Sequence, residues 1–260
     1  VIVVLDVNPR RVAGGRAGKL GGHRFENEVA MNLDLPPESV DGGNRTKIDI
    51  DGAPYSCKHG RISVKNPSGI NTQLFLTTPN SFLSSYDVPR NVRGFIGLFF
   101  GQPDLDELYR LCKNFGVEID SLDENSEIRR QRILAPNIPK NITSEALQWL
   151  NSQHREMFRL LFERGYRDWN GRVDTLAWAW SKDDVDSVEY YPMEKLRELY
   201  LRSKWEVAPN GSTLWCMVDG KKLLHLQMKG SGKPKYISWG YHGMMFHIHS
   251  TGLKVLDLDD

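Results

Sequence analysis

Thr46-Lys47-Ile48-Asp49-Ile50-Asp51-Gly52 is followed, eight residues on, by Arg61-Ile62-Ser63-Val64-Lys65. Both segments alternate apolar and polar side chains, the period of a half-buried strand, and Asp51-Gly52 is a turn pair. The two are expected to pair as a hairpin. Period-two geometry puts Asp49 with Asp51, and Ser63 with Lys65, on common faces of their strands. A register that joins those faces brings a carboxylate and an amine to one end of a sheet.

The helix before the hairpin adds a second acid. In Gly22 to Leu33, Phe25, Val29 and Leu33 fall at i, i+4 and i+8, one buried helical face, and Pro36-Pro37 is its expected stop. Glu26 and Glu28 both lie on this helix, and residues two apart face different directions, so spacing alone leaves the choice between them open. One Glu, Asp49 and Lys65 around one point suit metal-dependent phosphodiester hydrolysis. Carboxylates hold Mg²⁺ against a phosphate, while the metal and a lysine assist deprotonation of the attacking water.

Outward from this core, 260 residues allow one large domain or two small ones. A hydrophobic share of 40% with 26% charged residues excludes a disordered chain, and no apolar run approaches the length of a bilayer span. Val1 to Leu5 is too short for a signal core and has no basic segment before it. It reads as a strand, and the expected location is the cytoplasm, with no membrane partner. Three widely spaced cysteines, Cys57, Cys112 and Cys216, argue against a disulfide framework and a cysteine zinc site.

The net charge of +1 conceals two basic stretches. Arg10 to Arg24 carries Arg10, Arg11, Arg16, Lys19 and Arg24 among glycines, with no acid, and reads as a flexible arm. Lys221 to Lys254 holds Lys221, Lys222, Lys229, Lys233, Lys235 and Lys254, again with no acid, and includes Tyr236, Trp239 and Tyr241. Local positive charge attracts phosphates whatever the net charge, so both stretches point to an anionic polymer.

The rest alternates helices and strands. Val92 to Phe100 is a nearly continuous apolar run with glycines that reads as a strand buried on both faces, and Leu74 to Leu83 reads as a short helix. Asp104 to Phe115, Ser144 to Gly165 and Pro192 to Ser203 read as helices. Thr175 to Trp180, Ser212 to Val218, Leu223 to Met228 and Met244 to His249 read as strands, with an Asp219-Gly220 turn. The expected fold class is α/β, a mixed central β-sheet flanked by helices. No linker stands out, so residues 1–260 are expected to form a single domain, with a core over about 20–115 and a helical and β-rich part over about 140–255.

Gly22-x-x-Phe25-Glu26, Lys47-Ile48-Asp49-Ile50 and Ile62-Ser63-Val64-Lys65 resemble the PD-(D/E)xK core of type II restriction endonucleases. Arg164 to Trp169, Thr175 to Ser181, Met193 to Leu196, Asn210 to Ser212, Leu226 to Gly230 and Met244 to Ile248 are similar in order and spacing to the small members that cut four-base G+C palindromes. The resemblance covers most of the chain through many individually loose motifs. It implies a restriction-endonuclease-like core with a β-rich C-terminal DNA-recognition region. Asp49 would bind metal, Lys65 would be the catalytic lysine, and the Val64 carbonyl would be a further ligand. Ser63 departs from the family, which usually places an acid there. Glu26 is the preferred source of the missing charge.

The implied activity is Mg²⁺-dependent cleavage of duplex DNA at a short palindrome containing G and C, with Mn²⁺ as substitute. A methyltransferase of matching specificity would protect the host. A monomer and a homodimer both suit a palindrome. Asn66, Ser68, Asn71 and Gln73 resemble the segment that touches DNA beside the active site. The loop with Gln227, Lys229, Ser231, Lys233, Lys235 and Tyr236 falls where similar enzymes read bases, and lysine can donate to guanine O6 and N7. The loop is no P-loop, because residue 227 is Gln where Gly is required and Pro234 follows the lysine. Alternatives are a structure-specific nuclease of repair or RNA processing on the same fold, and a DNA-binding protein whose site has decayed at Ser63. His247-x-His249 would point two rings one way from a strand, and a metal there needs a third ligand from elsewhere.

Overall fold

The computed structural model describes residues 9–41, 47–66, 73–102, 105–118, 132–165, 172–229 and 243–256, without the side chains of residues 9–20, Leu105 and Lys229. It is mixed α/β, with two β-sheets accompanied by helices. No described helix is long and apolar enough to cross a membrane. All three cysteines are free.

The chain divides into two compact units, Val1–Asn71 with Arg167–Met193, and Thr72–Tyr166 with Glu194–Asp260. Each draws on two separate stretches of the sequence.

The first unit holds α1 (Pro9–Asn32), β1 (Ile50–Asp51), β2 (Arg61–Lys65), β4 (Thr175–Ala179) and β5 (Val188–Pro192). The strand order is β1-β2-β4-β5. β1 is antiparallel to β2 with Ile50 opposite Ile62, β2 is parallel to β4, and β4 is antiparallel to β5. Phe25, Val29, Ala30 and Leu35 bury against Ile50, Ile62, Val64, Ala177 and Ala179. The i, i+4 face of α1 is therefore what seats the helix on the sheet.

Three local expectations in this unit change. The basic arm from Arg10 lies within α1, which opens at Pro9, a residue whose fixed φ suits a first helical turn. The helix stops before Pro36-Pro37. Asp34 adopts φ 56°, its N–H donates to the Met31 carbonyl, and the Leu35 N–H donates to the Ala30 carbonyl. That is a Schellman turn, with the prolines just beyond it. The strand expected over Thr46–Asp51 is regular only at Ile50–Asp51.

The second unit carries β3 (Gln73–Thr77), α2 (Pro79–Ser84), α3 (Arg90–Phe99), α4 (Leu105–Phe115), α5 (Lys140–Ser152), α6 (His154–Phe158) and a π-helical turn at Arg159–Glu163. Then follow α7 (Met193–Arg202), whose first residue belongs to the first unit, and β6 (Lys204–Val207), β7 (Thr213–Val218), β8 (Lys221–Lys229) and β9 (Gly243–Ile248). The five-stranded sheet runs β3-β9-β8-β7-β6, antiparallel throughout. Asp219 and Gly220 both have positive φ in the β7–β8 turn, as their pairing requires.

Val92 to Phe100 is helical rather than a strand. Phe95, Leu98, Phe99 and Phe100 are fully buried, and with Arg93 the one exposed residue from Val92 to Phe100 the stretch shows little period to tell helix from strand. Leu74 and Phe75 belong to β3, so only the end of the helix expected over Leu74–Leu83 forms, as α2. The long helix expected from Ser144 is interrupted at Gln153.

Gly252 lies within a short helix, Ser250–Leu253, packed on β8, and a Cβ built there would lie 2.4 Å from the Leu223 Cα. Backbone cannot yield as a flexible side chain can. Gly252→Ala is expected to cost about 1–3 kcal/mol by overpacking, read by urea unfolding.

Candidate active site

Asp49 lies one residue before β1, with its backbone N–H donating to the Ile62 carbonyl. Its Oδ2 accepts from the Val64 N–H at 2.7 Å and from the Ser63 hydroxyl at 3.1 Å, and stands 3.7 Å from Lys65 Nζ. Lys65 and Asp49 are both largely shielded, at 16% and 25% side-chain exposure, so water screens the pair less than it would at the surface. The hairpin thus joins Asp49 and Lys65, and Ser63 is buried between them as a hydrogen-bond donor.

α1 brings Glu26 to the same place. Its carboxyl is pushed above the ordinary range, first by burial and then by the Asp49 charge, while the His23 hydrogen bond and the charges of His23 and Lys65 oppose the rise. His23 Nδ1 lies 3.0 Å from Glu26 Oε2. Glu28 instead pairs with Arg24 at 3.4 Å, one turn earlier on its own helix. Position on α1 therefore separates the two glutamates, as sequence spacing does not.

Lys47 escaped the sequence analysis. It is half-buried, and its ammonium is held well below the ordinary range by burial and by Lys65, with Asp49 opposing. Alternation marked it only as a polar strand residue. Two acids and two lysines thus act on one another here. The donor set suits a divalent cation, because two carboxylates that repel each other are oxygen ligands of the kind Mg²⁺ takes alongside water and phosphate. Asp49 and Glu26 are the side chains that would hold it. Among the described residues, no group of three or more His, Cys, Asp or Glu is set for a metal ion.

Asn66, expected at the DNA, is buried and spends its amide on Asp183. Its Nδ2 donates to Asp183 Oδ1 at 2.6 Å, and its Oδ1 accepts the Asp183 N–H at 3.0 Å. Asp183 holds φ 54°, so this clamp ties the residue after Lys65 to a tight turn beyond β4. The clamp joins residues 117 apart and leaves no local trace in sequence.

Of the remaining expected DNA residues, Gln73, Gln227 and Lys229 fall in the second unit. Gln73 opens β3 opposite His247, and Gln227 lies on β8 with its Nε2 3.5 Å from His247 Nε2. Lys229 ends β8. Ser68, Asn71, Ser231, Lys233, Lys235 and Tyr236 lie outside the described residues.

β8 supplies a third histidine to the His247-x-His249 pair. His225 stands opposite His247 with the rings stacked 4.7 Å apart, and its Nδ1 meets His249 Nε2 at 2.5 Å. Burial, then the neighbouring bases, push His225 down to about 3 and His249 down to about 4.

No protein-family model matches the chain, and no curated protein matches it.

Two stability profiles follow. Glu26 takes up its proton more readily folded than unfolded, so its charged form costs stability once pH rises through the raised folded value. Glu26→Gln is expected to melt at a higher temperature than the parent at pH 7.5, with the gap closing towards pH 4. His225 and His249 do the reverse, since the unfolded chain binds more protons below about 6.5. Stability is expected to fall as pH drops from about 6.5 towards about 4, and to fall less in His225→Gln, as thermal melts across that range would record.

Proposed function

We propose that this chain is a Mg²⁺-dependent nuclease of the PD-(D/E)xK type, cutting duplex DNA as a type II restriction endonuclease at a short palindrome containing G and C. The observation that carries the proposal is the meeting of Asp49, Lys65 and Glu26, drawn from a loop, a strand and a helix. The mutual influence of Glu26 and Asp49 supports a role for both as metal-holding carboxylates. On this reading a methyltransferase of the same specificity protects the host genome.

Mg²⁺, when bound, polarises the scissile phosphate and acidifies an attacking water. The protein's own residues do the rest. Val64 N–H and the Ser63 hydroxyl fix the Asp49 carboxylate, while His23 orients Glu26. Lys65 donates to the attacking water or to the phosphate oxygen beside it, with its charge kept in place by Asp49. The Asn66–Asp183 clamp holds the backbone immediately after Lys65. Lys47 adds a second amine whose proton is loosely held.

Ser63 favours one other reading, a DNA-binding protein that has lost catalysis. Against it, Ser63 is engaged in orienting Asp49, and Glu26 supplies a second negative charge.

Unmethylated phage DNA incubated with the protein and Mg²⁺ tests both. Discrete fragments whose ends share one short palindrome are expected. Lys65→Ala, Asp49→Asn and Glu26→Gln should each lower the cleavage rate by about 10²-fold or more, the scale of removing one positioned acid or base. Glu28→Gln should cut as the parent does, and Ser63→Ala should stay within about tenfold, the cost of one hydrogen bond. DNA that is bound but never cut, in Mg²⁺ or Mn²⁺, would mean a binding protein.

A further inference from the structure

Residues 181–187 turn the chain from β4 back into β5, and they are bonded tightly to one another. The Trp180 N–H donates to the Ser187 carbonyl at 3.2 Å, and the Ser181 N–H donates to the Ser187 hydroxyl at 2.9 Å. That hydroxyl donates in turn to the Asp184 carbonyl at 2.8 Å. Asp184 Oδ1 accepts the Asp186 N–H at 3.1 Å and opens a 3₁₀ turn over Val185–Ser187. Asp183 stands just before it at φ 54°, a left-handed backbone that a non-glycine residue keeps where its surroundings hold it.

Contacts from this turn end beside both halves of the candidate site. Towards β2, the amide of Asn66 bonds the Asp183 carboxylate at 2.6 Å and the Asp183 N–H at 3.0 Å. Asn66 is buried, so an unpaired amide there would carry the full cost of its lost hydration, and it directly follows Lys65. Towards α1, the 3₁₀ turn packs on the helix, and Val185 lies against the core that contains Phe25 and Val29. Phe25 directly precedes Glu26. All of these residues belong to the first unit.

The two contacts act on different parts of the site. Lys65 is the last residue of β2, paired with Trp178 on β4, and the backbone that leaves it is held by Asp183 through side chains. Glu26 rides on a helix whose seat includes Val185. A shift of the turn therefore reaches Lys65 and Glu26 by separate routes. Misplacing a reacting group by about 1 Å can cost about 10²-fold in rate, so a support remote from the chemistry still bears on it.

We infer that the turn over residues 181–187 sets the spacing between Lys65 and Glu26, with Asp183 a positioning residue for Lys65 through Asn66, and Val185 a positioning residue for Glu26 through α1. The inference rests on the proposed function for what the spacing serves, and on the turn's own contacts for the spacing itself.

Nuclear magnetic resonance of the metal-free full chain, labelled at lysine and histidine, reads the two routes separately. The Lys65 Cε signal, assigned by its loss in Lys65→Ala, should move in Asn66→Ala and stay in place in Val185→Ala. The His23 ring, 3.0 Å from the Glu26 carboxylate, should show the opposite pattern. Asp183→Gly, which removes the carboxylate while suiting the left-handed backbone, should move the Lys65 signal as Asn66→Ala does, and serves if that variant does not fold. Exchanging the pair, Asn66→Asp together with Asp183→Asn, keeps both bonds, because the carboxylate then accepts the amide and the N–H that face it. Asparagine also tolerates the backbone at 183, so the exchange should return the Lys65 signal to its parental place.

Activity and metal binding should split the same way. Asn66→Ala is expected to lower kcat in Mg²⁺ by about tenfold or more, recovered by the exchange, with Mn²⁺ affinity within about twofold of the parent. Val185→Ala is expected to weaken Mn²⁺ binding by about tenfold, the scale of losing a support behind a metal ligand, and to keep most of its kcat at saturating metal. An unmoved Lys65 signal in folded Asn66→Ala, or an exchange that restores nothing, would overturn the inference. So would variants in which both reporters move together, since that marks a general loss of stability and not two routes. A parent that cuts no DNA would sink the nuclease alone, because both reporters are read without metal or substrate.

Discussion

One oxygen of Asp49 takes the Val64 N–H, the Ser63 hydroxyl and the attraction of Lys65, and the first unit is arranged around that meeting. All three partners belong to β2. Because β2 is bonded to β1 on one side and to β4 on the other, the carboxylate is held by the sheet although Asp49 itself lies just before β1. A charge-assisted bond from a backbone amide is also hard to lose by substitution, since every residue except proline supplies the donor. The serine at position 63 is thus accommodated without displacing the acid it touches.

Gathering like charges has a cost that shows on both sides of the site. Burial and Asp49 raise Glu26, while burial and Lys65 depress Lys47. Phe25 and Val29, sunk in the core, hold Glu26 where the repulsion is felt. Hydrophobic burial on one flank of α1 thereby offsets electrostatic strain on the next, a common division between scaffold and site.

The hairpin was legible because alternation is a local signal, and the Asp49–Lys65 meeting followed from period two once a register joining those faces was supposed. Glu26 was legible as a candidate but not as a choice, since only packing against the sheet distinguishes it from Glu28. Lys47 was missed because alternation reports which side a residue faces, not what stands opposite. Asn66 shows a related limit: its partner Asp183 is remote in sequence, so the clamp between them has no local pattern to read. Val92 to Phe100 failed on pattern itself, because burial of nearly every residue leaves little period. In the histidine row, closeness in sequence found His247 and His249, and only strand pairing could add His225.

The parallel bonding of β2 to β4 has a consequence for how the chain is made. Thr175 leaves the ribosome about 110 residues after Lys65, and at about 5–20 residues per second that is an interval of roughly 5–20 s. Throughout it, β2 is an edge strand with one rank of amides and carbonyls unpaired. Asp49, Glu26 and Lys65 are all present by then, on a sheet that is not yet closed. Synthesis halted within this interval leaves the backbone of β2 on an open edge, the form in which one nascent chain pairs with another. The hazard ends only when β4 docks.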